Sequence, residues 1–314
     1  MQYDLTILGN DEAAFETALA ANAHGLKTLV VVSDRAVSSW QKTRALQHLA
    51  QERFSNYHGR ARSTGLSDLA LQFPTYLQME LQEFNTSLRT AGIDVLNALA
   101  EFESTGSLRL SFPDFSRPVT IASENIVVAT GVQRTTFPFC DRNSQADATD
   151  TVFGLSELPR HARIIGGGDF GAALAACLRT SGVATQLISR ASHDSSALEL
   201  ANSSGVQIAD HPEDLPTYGV NGETFFSIDC RGRRGLTRGL NLEKINVEAD
   251  EHGQLWCGRH FETWCRGVYG VGDVVGFSSD STHLVATQAK IVVNRIRNAQ
   301  PQTPKSTIAL TAAM

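Results

Sequence analysis

The chain has 314 residues, 42% of them hydrophobic and 19% charged, which is enough for two ordinary globular domains. Its net charge of −6 and its pI of about 5.8 argue against a nucleic-acid or anionic-membrane surface. The first residues run straight into a strand pattern without a signal peptide, and no apolar run is long enough to span a bilayer. We therefore expect a cytoplasmic protein.

Apolar runs and helical periodicities alternate along the chain. The first βαβ unit consists of a strand at 3–9, a helix at 11–24 closed by Gly25, and a strand at 27–33. Helices at 40–53 and 70–90 and a strand at 122–131 follow. A second βαβ unit comprises a strand at 163–166, a helix at 172–182 and a strand at 184–189. The chain then gives a strand and turn at 267–273, a helix at 283–297 and a loose tail from 299.

The chain contains five cysteines, which are Cys140, Cys177, Cys230, Cys257 and Cys265. Their odd number and irregular spacing predict free thiols in a reducing compartment. No pair has the C-x-x-C spacing of a zinc site or of a thioredoxin-like redox motif. We therefore predict no metal site.

The second βαβ unit contains a complete G-x-G-x-x-G fingerprint, placed between its strand and its helix. Gly166 permits the tight turn, Gly168 lets the backbone approach a pyrophosphate, and Gly171 lets helix and strand pack closely. The N-terminus of the helix offers free N–H groups and partial positive charge to the phosphates. The pattern predicts a dinucleotide site, and a glycine-rich turn without a ligand is the alternative.

The end of the strand after this fingerprint bears on the choice between NAD and NADP. An acidic residue there binds the adenosine ribose hydroxyl of NAD, whereas this chain has Ser189 followed by Arg190. A guanidinium can hold the 2′-phosphate of NADP bidentately, so the sequence favours NADP over NAD. The alternative is that Arg190 is only a solvated charge.

The first βαβ unit has an altered fingerprint. Gly9 keeps the turn and Ala14 is small enough for helix–strand packing, but Asp11 replaces the middle glycine and Glu12 adds a second carboxylate. Carboxylates where a pyrophosphate would approach cost several kcal/mol unless they are neutralised. The alternative is an ordinary acidic first turn of a helix. The acid expected at the end of the next strand is displaced to Asp34.

Several further segments carry a resemblance to a known family. Ala129-Thr130-Gly131 closes the strand at 122–131, Gly232-Arg233 lies in a CRGRRG stretch, and Gly272-Asp273 ends the late strand. With 158–160 and 250–255, these segments resemble the pyridine nucleotide–disulfide oxidoreductase superfamily, and within it most the soluble pyridine nucleotide transhydrogenases, over almost the whole chain. The resemblance implies that Asp273 accepts hydrogen bonds from the ribityl chain of FAD.

The resemblance also implies the fold. We expect an α/β protein with two Rossmann-like domains that bind FAD and NAD(P), the second inserted in the first. Residues 1–150 and 246–300 would form the FAD-type domain, 151–245 the NAD(P)-binding domain and 301–314 a loose tail. The C-terminal interface domain that supplies the dimer contact in relatives is expected to be absent, so the oligomeric state stays open.

Three departures from the family bear on the chemistry. The segment 38–46, which is similar to the family's redox-disulfide segment, contains no cysteine. The lysine that lies beside the flavin in relatives is Arg44 here, and its glutamate partner is Ala173. Disulfide reduction in the family's manner is therefore not expected, and no catalytic residue is assigned.

The main functional hypothesis is an FAD-dependent NAD(P)H oxidoreductase that resembles the transhydrogenases and transfers hydride without a redox disulfide. The alternative is a catalytically degenerate nucleotide-binding or sensor protein on the same scaffold. A third possibility is an oxidoreductase that holds a different second ligand in the first pocket. Fold and family alone do not confer the reaction.

Overall fold

The computed structural model describes residues 2–33, 36–56, 65–113, 117–135, 148–190, 195–219, 222–278 and 284–299. The helices of this part of the chain are α1 (Glu12–Ala23), α2 (Ser39–Asn56), α3 (Leu66–Thr90), α4 (Ala148–Phe153), α5 (Gly168–Thr180), α6 (Ser196–Ser203) and α7 (Val285–Ala299). None of them combines the length and the apolar character that a membrane span needs.

The strands fall into two groups along the chain. Those that precede the second fingerprint are β1 (Gln2–Leu8), β2 (Thr28–Val32), β3 (Asp94–Asn97), β4 (Leu99–Ser104), β5 (Ser107–Ser111), β6 (Val119–Val128) and β7 (Val132–Thr135). The others are β8 (His161–Ile165), β9 (Ala184–Ile188), β10 (Gln207–Ala209), β11 (Phe226–Asp229), β12 (Gly232–Gly235), β13 (Leu255–Cys257), β14 (Val268–Gly270) and β15 (Val275–Ser278).

The first sheet has the order β3-β2-β1-β6-β5-β4, and β14 also pairs with β6. Strands β1, β2, β3, β6 and β14 pair in parallel, whereas β4, β5 and β6 form antiparallel pairs. One face packs against α1, α3 and α7. The other is covered by β4, β5 and residues 240–257. Buried strands with continuous apolar runs, such as Thr28–Val32, are typical of a parallel sheet covered on both faces.

The second sheet is parallel, with the order β10-β9-β8-β11. All of its strands lie between β6 and β14 in sequence, and both of those belong to the first sheet. The antiparallel pair β7–β12 links the two sheets. The α/β fold with two Rossmann-like units, the second inserted in the first, is confirmed; the exact domain limits stay a prediction.

Helix α2 connects the two units. Ala45, Leu46 and Leu49 lie in the same core as Ala173 and Cys177 of α5, and α2 also packs against α3. The helix predicted at 172–182 begins earlier, at Gly168, because the glycines of the turn themselves open the helix. Of the tail predicted from 299, Ala299 is the last residue of α7, and the rest, including 301–314, lies outside the described residues.

Candidate functional site

The first fingerprint turn joins β1 to α1 and presses against the end of β6. Gly9 has a φ of 135°, and a Cβ at this position would overlap the carbonyl of Ala129. The amide of Ala129 donates to the Leu8 carbonyl at 2.8 Å. Ala14 is fully buried on the inner face of α1. The structure therefore brings Gly9, Ala14 and Ala129–Gly131 together as the sequence predicted, although a ligand contact of these residues stays a prediction.

Asp11 occupies the centre of this turn. A Cβ on Gly131 would lie 2.6 Å from the Asp11 Cγ, and one on Gly272 would lie 3.5 Å from its Oδ2. Both glycines have φ values in the left-handed region, 70° and 81°, and only 6% of Asp11 is exposed. The carboxyl group thus fills the space between two turns whose missing side chains would otherwise leave it open. Asp11 precedes α1 and makes no side-chain capping bond, whereas Glu12 lies in the acidic first turn that the sequence left as the alternative.

The environment of Asp11 disfavours its charge. Burial, followed by the negative charge of Asp273, raises the pKa of Asp11 to about 7, with a smaller contribution from Glu12 and an opposing hydrogen bond from Ser38. Burial and neighbouring carboxylates, Glu16, Asp273 and Asp169, also raise the pKa of Glu12. An anionic ligand at this turn would meet a buried acid without a compensating cation in contact among the described residues.

The start of α2 closes over the same turn. The amide side chain of Gln41 donates to the Asn10 carbonyl at 3.0 Å, and the Ser38 backbone N–H donates to Asn10 Oδ1 at 3.4 Å. Asn10 Nδ2 in turn donates to the Ser33 carbonyl at 3.3 Å. Asn10, Ser38 and Gln41 are all buried. These contacts hold the turn against the start of α2.

Gly272 and Asp273 form the turn after β14. The Gly272 N–H donates to Gln288 Oε1 of α7 at 2.9 Å, and a Cβ on Gly272 would lie 2.5 Å from that of Ala13. The Asp273 side chain is 49% exposed and lies 4.0 Å from the guanidinium of Arg233. The sequence pattern identified this turn but not Gln288. Gln288 lies on α7, and its side-chain oxygen accepts the hydrogen bond from the Gly272 N–H.

The first site does not fit the pyrophosphate of FAD. Gly9, Gly131 and Gly272 leave a cradle, but the Asp11 carboxyl occupies it, and a phosphate placed there would add to the negative charges of Asp273 and Glu12 that already raise the pKa of Asp11. Asp34, the acid predicted to bind an adenosine ribose, lies outside the described residues.

The second fingerprint turn joins β8 to α5 and remains open. Gly166, Gly167 and Gly168 have φ values of 67°, 90° and 56°. A Cβ on Gly171 would overlap the carbonyl oxygen of Gly166, which is the close helix–strand approach that the sequence predicted. A Cβ on Gly168 would meet no atom within 4 Å. The N-terminus of α5 therefore faces free space at the position where a pyrophosphate binds in this motif.

A cavity of about 710 Å³ lies beside this turn, at the carboxyl ends of the second sheet. Its described lining contains Gly166, Arg190, His211 and Arg231, and the carboxylate of Asp210. Arg190 Nη2 lies 3.2 Å from His211 Nδ1, and the Arg231 Nε donates to Asp229 Oδ1 at 2.9 Å. This cavity fits the adenosine end of NAD(P), with guanidiniums that can bind phosphate.

Sequence reasoning found Arg190 but missed His211 and Arg231. Arg231 lies across Gly166, where its Cγ would overlap a Cβ. Asp229 ends β11 and Arg231 follows it. Both come close to the fingerprint turn because β11 pairs with β8, a strand about sixty residues earlier in the sequence, and a local pattern does not show that pairing. The only sequence feature that could have pointed to Arg231 is the CRGRRG stretch, in which the resemblance singled out Gly232 and Arg233 but not Arg231.

A model of the pyridine nucleotide-disulphide oxidoreductase family matches residues 3–208. The chain belongs to this family. The family comprises FAD- and NAD(P)-dependent oxidoreductases.

Among similar sequences, a dihydrolipoyl dehydrogenase of Trypanosoma brucei brucei is 25% identical, over 87% of this chain and 66% of the relative. A soluble pyridine nucleotide transhydrogenase of Yersinia enterocolitica is 30% identical, over 57% of this chain and 43% of the relative. The matches thus span about two thirds or less of these relatives' lengths.

Solved structures share the fold. The HOCl-induced flavoprotein disulfide reductase RclA from Escherichia coli, in a Cu(II) complex, superposes with a TM-score of 0.60 at 19% identity, over 95% of this chain and 70% of that protein. LpdA from Mycobacterium tuberculosis gives a TM-score of 0.60 at 19% identity, over 95% of this chain and 72% of LpdA. At this identity the likeness shows the fold alone.

Arg44 and Ala173, the two residues that the sequence resemblance singled out as departures from the family, lie in different surroundings. Arg44 forms an ion pair with the buried Glu80 of α3 and lies 5.3 Å from the ring of Trp40. His48 Nδ1 also lies 2.7 Å from Glu80 Oε1. Ala173 is buried in the core that α5 shares with α2. Glu80, which the sequence did not single out, is thus an acidic partner of Arg44, whereas Ala173 lies in the apolar core.

Cys177, Cys257 and Cys265 are free, buried thiols, and the side chain of Cys230 is also buried. Burial raises the pKa of Cys177 and of Cys257 to about 12, so neither forms a thiolate at neutral pH. Cys140 lies outside the described residues. No group of three or more metal-ligating side chains occurs in the described ranges.

Proposed function

We propose that this protein binds NADP(H) at its second fingerprint and that its first fingerprint is closed to FAD at neutral pH. The observation that carries the proposal is the open turn at Gly168 beside a cavity lined by Arg190, His211 and Arg231. A helix N-terminus and nearby guanidiniums together favour an anionic dinucleotide. The protein is then a nucleotide-binding or sensor member of an oxidoreductase family.

NADP is favoured over NAD by the residues at the end of β9. Ser189 supplies no carboxylate for a free ribose hydroxyl, and Arg190 is held beside His211 at the mouth of the cavity. A 2′-phosphate placed there gains charge-assisted hydrogen bonds that NAD lacks.

Isothermal titration calorimetry of the purified chain with NADPH, NADP⁺ and NADH tests this function. The expected result is binding of NADPH and NADP⁺, with NADH at least about tenfold weaker, because a charge-assisted hydrogen bond is worth roughly 1.5–3 kcal/mol. Absence of heat with all three nucleotides would refute the proposal.

A second candidate function is an FAD-dependent NAD(P)H oxidoreductase similar to the soluble transhydrogenases, acting without a redox disulfide. It is favoured by the cradle of Gly9, Gly131 and Gly272, which keeps the backbone shape of a dinucleotide turn, and by the half-exposed Asp273 beside it. The visible spectrum distinguishes the two candidates. A preparation that shows flavin absorbance and reduces a dye with NADPH supports the second candidate, whereas a colourless one that takes up no FAD supports the first.

A further inference from the structure

Arg134 is a buried cation whose Nε has no hydrogen-bond partner in the described part of the chain. It lies on β7, and 9% of the residue is exposed. In the antiparallel pair β7–β12 it stands directly opposite Arg233. Burial, together with the charge of Arg233, lowers the pKa of Arg134. Like charges opposed across a ladder and an unpaired buried donor both destabilise the ligand-free fold.

The position of Arg134 relates it to the second fingerprint. Thr135, the neighbour of Arg134 on β7, pairs with Gly232 of β12, two residues after Cys230, and the negative charges of Asp273 and Asp169 also act on the Arg134 guanidinium. Asp169 lies in the first turn of α5, and a Cβ on Gly167 would lie 2.7 Å from the Cβ of Cys230. Arg134, which belongs to the strand that continues from the first sheet, is therefore near the N-terminus of α5, a helix of 13 residues.

We propose that Arg134 binds the pyrophosphate of the dinucleotide at the second fingerprint, as a clamp supplied from outside the second sheet. The assignment rests on the proposed NADP(H) function and adds a binding residue to it. A planar guanidinium binds two phosphate oxygens at once, and the α5 N–H groups bind the same anion from the other side. The bound pyrophosphate satisfies the Nε donor and neutralises the repulsion between Arg134 and Arg233.

Arg233 is the matched control, because it has the same charge and the opposite environment. Its side chain is 51% exposed and lies 4.0 Å from Asp273. In the ligand-free protein, the charge of Arg233 is compensated by water and by Asp273. Removing it leaves Arg134 in place and also relieves the like-charge pair.

The experiment uses Arg134→Met and Arg233→Met in the full chain. Calorimetry measures the affinity for NADPH and for inorganic pyrophosphate, and thermal unfolding measures stability without ligand. Arg134→Met should weaken both ligands at least about 30-fold, consistent with a charge-assisted bidentate contact, while leaving the Tm unchanged or raising it. Arg233→Met should change either affinity less than about threefold.

A residue with a merely structural role would give the reverse pattern, in which Arg134→Met lowers the Tm and leaves both affinities unchanged. That result overturns the proposal. Arg134→Lys keeps the charge without the planar fork and covers the case in which Arg134→Met fails to fold. It should bind NADPH about fivefold more weakly, and wild-type affinity in Arg134→Lys contradicts the clamp.

The wild-type titrations separate this proposal from the proposed function. If the wild type binds pyrophosphate through Arg134 but does not bind NADPH, the proposed function falls and the clamp stands. If NADPH binds with equal affinity in the wild type and in Arg134→Met, the function stands and the clamp falls. If neither ligand binds, both are overturned.

Discussion

The two fingerprint turns of this protein share a backbone design and differ in what faces the ligand. Each runs from a buried parallel strand into a helix, through one glycine of positive φ in the first turn, Gly9, and through three in the second, Gly166 to Gly168. In the first turn, the position of the second glycine is Asp11, whose carboxyl is 6% exposed between Gly131 and Gly272. In the second turn, the same position is Gly168 and opens onto free space. One residue therefore decides whether a preserved turn is open to an anion.

The surroundings amplify this difference. Asp273 and Glu12 add negative charge around Asp11. Arg190 and Arg231 line the cavity next to Gly166. A scaffold can thus keep the geometry of two dinucleotide sites while only one of them has a charge that suits phosphate.

The largest expected effects come from replacing by alanine, in each turn, the glycine that touches a backbone carbonyl. Gly171→Ala places a Cβ on the Gly166 carbonyl, and Gly9→Ala places one on the Ala129 carbonyl. Both variants should lose roughly 2–3 kcal/mol of stability, because backbone atoms must move. Calorimetry should show that Gly171→Ala binds NADPH at least about 100-fold more weakly, whereas folded Gly9→Ala binds it normally. An equal loss of NADPH affinity in both variants would contradict the assignment of NADPH to the second turn.

Opening the first turn should create an FAD site. Asp11→Gly removes both the charge and the side chain between Gly131 and Gly272. We expect FAD affinity, followed by flavin fluorescence quenching, to rise at least about 100-fold, because a close like-charge repulsion is worth a few kcal/mol.

Asp11→Asn is the matched control for that gain. It removes the charge and keeps the volume, so it should give an intermediate rise of about tenfold. If FAD affinity rises in Asp11→Gly but not in Asp11→Asn, the volume of the side chain and not its charge excludes FAD. If FAD affinity rises in neither variant, other contacts close the first pocket.

The titration of Asp11 predicts a pH-dependent stability. Its pKa is raised from 3.8 to about 7, so the folded protein binds this proton more tightly than the unfolded chain does. Stability from this group is therefore fully present below the ordinary pKa and is lost as the pH rises towards 7. Between about pH 5.5 and about pH 8, the free energy of unfolding of Asp11→Asn should gain about 2 kcal/mol relative to the wild type.

Urea unfolding at the two pH values measures this gain. Glu251→Gln is the control, because Glu251 has a side chain that is 87% exposed. Its difference from the wild type should not change with pH. A constant difference for Asp11→Asn as well would mean that Asp11 is not a buried, neutralised acid in the folded protein.

The smallest expected effect concerns selectivity within the second site. Arg190→Gln should weaken NADPH about tenfold and leave NADH unchanged, because only the 2′-phosphate contact is removed. Arg160→Gln, at a side chain that is 83% exposed and paired with Glu223, serves as the control and should change neither affinity. A parallel loss for NADH would indicate a role of Arg190 in binding the common part of the dinucleotide.

Local patterns predicted the parts of the fold that depend on neighbouring residues. The units β1–α1–β2 and β8–α5–β9 follow from apolar runs, helical periodicity and glycines at the turns. The antiparallel strands β4 and β5 and the link β7–β12 were not predicted. They are held by pairing between distant segments, as in the register of Arg134 with Arg233.

The same limit applies to the candidate site. Asp11 was identified because it breaks a motif at a fixed spacing. His211, Arg231 and Glu80 were missed because each acquires its role from a segment far away in sequence. The depth of Asp11 between Gly131 and Gly272 also required the fold, since three separate turns meet there.

Equilibrium dialysis of the wild-type protein against a mixture of FAD and NADPH at neutral pH tests the inequality of the two turns most directly. Open access at Gly168 and the buried carboxyl of Asp11 predict that NADPH is retained in stoichiometric amount and that FAD is not. Retention of FAD in stoichiometric amount, with or without NADPH, would contradict this account.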